Sequence, residues 1–144
     1  MIRKSNELKK IAIVDGSSDL FRVEEGRLRK ETLKNQVQYF KKAAGLLNYL
    51  QGLKQDRLTD QFPDYILVDI QFKDMNAASF LDRIEQILGK MEAPEVFILS
   101  SSASKKKRDL AMQYPFVSAY LEKPVPVDLL ELLIAGNDVD NSPH

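Results

Sequence analysis

Apolar residues fall along this chain in two rhythms. The runs Ile11-Ala-Ile-Val14, Tyr65-Ile-Leu-Val68 and Val96-Phe-Ile-Leu99 are strand-length and apolar without alternation. That pattern predicts strands of a parallel sheet covered on both faces. Val117-Ser-Ala-Tyr-Leu121 reads as a further strand, and Gln36-Val-Gln-Tyr-Phe40 alternates polar with apolar as an edge strand does. Between the strands the period becomes helical. Leu46, Leu47, Leu50 and Leu53 recur at i, i+1, i+4 and i+7 after Ala43 and Ala44; Phe80, Leu81, Ile84, Ile87 and Leu88 repeat the pattern, with Gly89 at the expected C-terminal cap. Residues 104 to 113 are more polar, with Leu110 and Met112 as the positions expected to be buried. Pro126 opens a last helix carrying Leu129, Leu130, Leu132, Leu133 and Ile134. A first helix from about residue 19 to 33 is interrupted by Gly26.

Strands alternating with helices predict βαβ units, a parallel sheet and helices on both faces. At 144 residues the chain suits one domain, read as 10–136 between a leader at 1–9 and a tail at 137–144. A formal net charge of +0 gives no electrostatic reason to expect nucleic acid or an anionic membrane as partner. No apolar run approaches the roughly 20 residues of a membrane span, and the basic N-terminus lacks the apolar core of a signal peptide, so the expected compartment is the cytoplasm. There is no cysteine, and the one histidine is His144, the last residue. Thiolate metal sites, a Ser-His-Asp triad and a phosphohistidine carrier are therefore implausible, and the chemistry must rest on Asp, Glu, Lys, Ser, Thr or Tyr.

Ligands of open α/β sheets bind outside the carboxyl ends of the strands. The first strand runs into Asp15, the third into Asp69 and the fourth into Ser100; Lys123-Pro124 follows the fifth. Singly these residues read as turn, cap or loop punctuation. Together they suit phosphoryl chemistry: an aspartate nucleophile, a second carboxylate for Mg²⁺, and a hydroxyl and a lysine as donors to phosphoryl oxygens.

These strand ends, with Tyr120-Leu-Glu-Lys123-Pro124, resemble the receiver domains of two-component response regulators over nearly the whole chain. The resemblance implies a flavodoxin-like doubly wound α/β fold, five parallel strands in order 2-1-3-4-5 with helices on both faces. It implies Asp69 as phosphoacceptor, Asp15 as a Mg²⁺ ligand, Ser100 as the switch hydroxyl, Tyr120 as the rotating aromatic and Lys123 as the family's lysine. The backbone carbonyl of Gln71 falls where the family supplies a further metal ligand, and Lys123-Pro124 where its peptide bond is usually cis. The implied partners are a sensor histidine kinase or phosphotransfer protein and a downstream protein target. Tyr114-Pro-Phe-Val-Ser-Ala-Tyr120 is similar to stand-alone receivers without an output domain.

The sequence departs from that family at Gly16, where a second acid is expected, and at Lys73, Asn76 and Ala77, which replace a proline, an acid and a glycine. Asp19 and Asp74 are nearby acids. Loss of one carboxylate is expected to weaken Mg²⁺ binding, and it opens an alternative: a pseudo-receiver, binding protein partners without phosphorylation. An aspartate-nucleophile phosphohydrolase would place a second Asp two residues on, where Ser17 and Gln71 stand instead. The glycines form no phosphate-binding loop. Lys105-Lys-Lys-Arg108 reads as a solvated or partner-docking helix face.

Overall fold

A computed structural model describes residues 8–14, 35–69, 75–92, 94–101, 104–123 and 127–135. Five strands, β1 (Ile11–Val14), β2 (Val37–Phe40), β3 (Tyr65–Asp69), β4 (Glu95–Ser100) and β5 (Val117–Glu122), form one sheet in the order β2-β1-β3-β4-β5. Every neighbouring pair is parallel, with Ile13 opposite both Tyr39 and Leu67, and Val68 opposite Ile98. The helices are α1 (Ala43–Gln55), α2 (Ala77–Leu88), α3 (Lys105–Ala111) and α4 (Val127–Ala135). This is the doubly wound order expected from the sequence. The first predicted helix, the Lys123-Pro124 bond, Pro126 and the tail lie outside the described residues, as does all of the leader except Leu8 and Lys9. Lys9 donates its N–H to the Ile134 carbonyl at the end of α4 (2.7 Å).

Successive strand residues point to opposite faces, and the unbroken apolar runs consequently feed two cores. Ala12, Val14, Ile66, Val68, Val96 and Ile98 join the buried residues of α1 and α2 on one side. Ile11, Ile13, Val37, Leu67 and Leu99 meet Leu130, Leu133 and Ile134 of α4 on the other. Burying a leucine- or phenylalanine-sized side chain contributes about 1.5–3 kcal/mol, so these faces carry most of the fold's stability.

The helix ends follow from local chemistry. Asn76 caps α2 by accepting the Ser79 N–H on its side chain at 2.7 Å, and Gly89 closes the helix with φ +56°, a conformation that costs glycine little. Lys54 of α1 donates to the Ile87 carbonyl at 2.7 Å, satisfying one of the last carbonyls of α2 and tying the two helices together. Ser104 caps α3 through the Lys107 N–H, and Lys105 pairs with Asp109 one turn on at 2.8 Å.

The structure corrects the expectation for α3. Leu110 is 45% and Met112 40% exposed, while Ala111 is the buried residue of this segment. With fewer than two full turns between its cap and its end, α3 presents a small side chain to the core, and the larger apolar groups are left outside.

A single irregularity interrupts the ladder between β4 and β5. Val96 pairs with Val117, but Phe97 pairs with Ala119, which leaves Ser118 as an extra residue on β5. Its hydroxyl donates to Glu95 at 2.8 Å. Val117 and Tyr120 are three residues apart and would face opposite sides of a regular strand. The bulge restores phase, and both lie against the core shared with α1 and α2.

Candidate functional site

Asp69 closes β3 opposite Leu99 and is only 6% exposed. A carboxylate so buried requires partners, because desolvating an isolated charge is far more costly than folding can sustain. Lys123 supplies one: its Nζ donates to Asp69 Oδ2 at 2.6 Å. Asp69 ends β3 and Lys123 directly follows β5, with β4 between those two strands. Adjacent strands lie about 4.8 Å apart, so the lysine stem must cross the end of β4 to reach the acid.

The backbone fixes where that stem begins. Lys123 donates its own N–H to the Ser100 carbonyl at 2.8 Å, extending the β4–β5 ladder one step past the Ser100–Glu122 pair. Ser100, 1% exposed, is the last residue of β4. Asp69, Ser100 and Lys123 are thus gathered at the carboxyl rim of the sheet, a buried carboxylate, a buried hydroxyl-bearing residue and a part-buried ammonium. Chemically, it can hold an anion on an oxygen of Asp69 while the neighbouring cation compensates the added charge.

Tyr120 stands on the same edge strand, three residues before Lys123. Its ring packs on the core shared with α1 and α2, and its buried hydroxyl has no hydrogen-bond partner among the described residues. A buried hydroxyl left unpaired costs about 1–3 kcal/mol, so this side chain is held by its ring rather than by its polar end. The phase that aims it inward comes from the Ser118 bulge. The sequence signal for that bulge was the spacing of Val117 and Tyr120, an odd interval between two apolar positions.

Asp15, Gly16 and Gln71, with Asp19, Lys73 and Asp74, lie outside the described residues. Among the described residues no three His, Cys, Asp or Glu side chains cluster as a metal site. Away from the rim, Tyr114 donates its hydroxyl to Asp82 of α2 at 2.7 Å. That bond to a carboxylate, with partial burial and the negative charges of Asp82 and Glu85, pushes the phenol up to about 12.

No family model and no curated protein matches this sequence. Solved structures do match it in shape. A two-component response regulator from Cytophaga hutchinsonii superposes with a TM-score of 0.65 at 19% identity, covering 88% of this chain and 94% of that one. A response regulator receiver domain protein from Methanospirillum hungatei gives 0.60 at 22% identity, over 87% and 90%. The phosphorylated cyanobacterial phytochrome response regulator gives 0.57 at 23% identity, over 90% of each. No helix among the described residues is long and apolar enough to cross a membrane. In strand order, in pairing direction and in likeness to these structures, the chain has the fold of the response-regulator receiver domains.

Proposed function

We propose that this chain is a cytoplasmic phosphoacceptor switch of a two-component system, modified on Asp69 by a sensor histidine kinase or phosphotransfer protein and read by a downstream protein. The observation that carries this reading is the buried ion pair of Asp69 and Lys123, held beside Ser100 at the carboxyl rim. In the reaction a carboxylate oxygen of Asp69 attacks phosphorus. The new oxygen–phosphorus bond forms as the bond from phosphorus to the donor's nitrogen or acyl oxygen breaks, and the donor leaves with that electron pair. Lys123 then turns its charge to a phosphoryl oxygen, and the Ser100 hydroxyl donates to another. Each hydrogen bond to a charged group contributes on the order of 1.5–3 kcal/mol, enough to bias a two-state surface. Tyr120, with no polar partner for its hydroxyl among the described residues, is the side chain whose setting follows Ser100.

Mg²⁺ is the cofactor in this reading, held by Asp15, Asp69 and the Gln71 carbonyl. Asp69 offers the hard carboxylate oxygen such an ion takes, and Val14, the residue before Asp15 in sequence, pairs with Val68, the residue before Asp69. When bound, the ion neutralises the charge gathered by the carboxylates and the phosphoryl group. Gly16 supplies no ligand, so a raised Mg²⁺ requirement is expected.

Intact mass after incubation with a small acyl-phosphate donor tests the reading. A gain of one phosphoryl group is expected with Mg²⁺, and none with Asp69→Asn. Folded protein that gains no phosphoryl group from the acyl phosphate or from any phosphohistidine donor would instead favour a pseudo-receiver, for which Gly16 is the supporting observation. Ser100→Ala is expected to keep the mass gain while shrinking the amide shift changes that phosphorylation brings to β5 and α3. Unchanged shifts in that variant would remove Ser100 from the switch.

A further inference from the structure

A groove of about 410 Å³ runs between the first turns of α2 and the exposed side of α3. Its floor is Ala78, Leu81 and Ala111, its walls are Met75 and Leu110, and Lys107 lines its edge. Lys107, Leu110 and Ala111 form one i, i+3, i+4 row, so a single face of α3 is turned to the groove. Leu110 stays 45% exposed there, on a helix otherwise almost entirely charged. Exposed apolar side chains gathered beside a concave surface mark contact sites more often than isolated ones do, and Met75 adds a flexible side chain that adapts to what it meets.

The charge on this edge has one sign. From Lys105 to Ala111 four cations stand against the single carboxylate of Asp109, which Lys105 already engages. Lys106, Lys107 and Arg108 have no acidic side-chain partner among the described residues. On α2, Asp82, next in sequence to the groove-lining Leu81, accepts the Tyr114 hydroxyl. The surface therefore combines an apolar trough with uncompensated positive charge on one bank. A nucleic-acid backbone would find no use for the apolar floor, and a bilayer would not enter a concave trough flanked by two helices.

We propose that this groove is the docking site for an acidic amphipathic helix of a partner protein, its apolar stripe laid over Leu81, Leu110 and Met75 and its carboxylates against Lys106, Lys107 and Arg108. Helix-in-groove recognition reads such a stripe through anchors at i, i+3 or i+4 and i+7. The inference stands on the groove and its charge alone. It holds whether or not Asp69 accepts phosphate.

The probe is a fluorescent helical peptide of about 16 residues carrying a leucine stripe at that spacing with glutamates elsewhere, beside a twin with lysine for every glutamate. Anisotropy with the full chain is expected to show binding of the acidic peptide only, weakened by added salt as exposed charge contacts are. Amide shift changes are expected to gather at 75–82 and 105–112. Lys107→Glu and Leu110→Ser change exposed positions, and thermal melts will show both folded; each is expected to weaken binding by about tenfold. Absence of binding, equal binding of the lysine twin, shifts centred elsewhere, or indifference to both variants would overturn the proposal. So would sedimentation showing a dimer of the free chain that Leu110→Ser dissolves, because the occupant would then be a second copy.

Discussion

The carboxyl rim and the α2–α3 groove break the ordinary partition of residues in opposite directions. The rim buries what water would solvate: Asp69 and Ser100 are the buried polar side chains of the described core. The groove exposes what water would exclude, with Leu110 one of the few large apolar side chains left outside among the described residues. Scattered exposed apolar groups are normal in any protein, but a buried charge or an apolar trough has a cost that packing alone does not explain. The rim meets its cost internally, through an ion pair anchored by backbone hydrogen bonds. Among the described residues the groove has no such internal remedy, and another surface would cover it. The difference teaches that the first region is finished within the chain and the second is finished by contact.

The sharpest way to break this contrast lies within the groove itself, where Leu81 is 1% and Leu110 45% exposed. Leu81→Ala removes a side chain packed in the core with α1 and α2, and is expected to cost about 2–5 kcal/mol in denaturant unfolding. Leu110→Ala is expected to change stability by less than about 0.5 kcal/mol, because its side chain serves no interior. A comparable loss at both positions would show that α3 packs more deeply than its exposure indicates, and Leu110 would then belong to the core.

At the rim the expected effect is smaller and asymmetric. Lys123→Met takes the ammonium away from the buried Asp69 carboxylate, with an expected loss of about 2–3 kcal/mol. Asp69→Asn removes the charge that needed compensation and leaves Lys123, more exposed than its partner, able to reach water; about 1 kcal/mol or less is expected. The double variant should recover part of the Lys123→Met loss, the sign of direct coupling in a double-mutant cycle. Additive losses would mean that the 2.6 Å contact contributes nothing specific, and the rim would no longer be internally completed.

How much of this could be read from the sequence divides along the same line. The unbroken runs ending at Val14, Val68 and Leu99 reported two-faced burial directly, because a strand with a wet face must alternate. The rim was legible for a related reason: parallel strands share a direction, so residues that close successive runs meet at one edge. Asp69, Ser100 and Lys123 meet there in the structure. The groove was not legible, because Leu110 and Met112 carry the same chemistry whether they face a core or a partner. Only the length of α3 and the depth of Ala111 decide between those outcomes, and both are tertiary facts. The Ser118 bulge lay between these cases. An apolar residue at 117 and another at 120 violate period two, and a bulge is one of few ways to put both on one face.

Tyr114 offers the mildest test, at the place where α2 and the chain after α3 are joined. Its phenol, pushed up to about 12 chiefly by the hydrogen bond to Asp82 and secondarily by burial, stays protonated in the fold at pH values where an ordinary tyrosine near 10 has ionised. Because the folded value is the higher one, the linked stabilisation is complete below about pH 10 and is lost as pH rises toward about 12. The group is half-exposed, so solvent screens the effect and only a small change in unfolding free energy is expected. The chain has five tyrosines, so subtracting the phenolate absorbance titration of Tyr114→Phe isolates this one. Asp82→Asn is expected to bring it back toward 10, leaving burial and the Glu85 charge as the remaining upward causes. If Tyr114 titrates normally in the unaltered protein, the Asp82 bond does not persist in solution. The tie Tyr114 makes between α2 and the chain after α3 would then rest on ring packing alone.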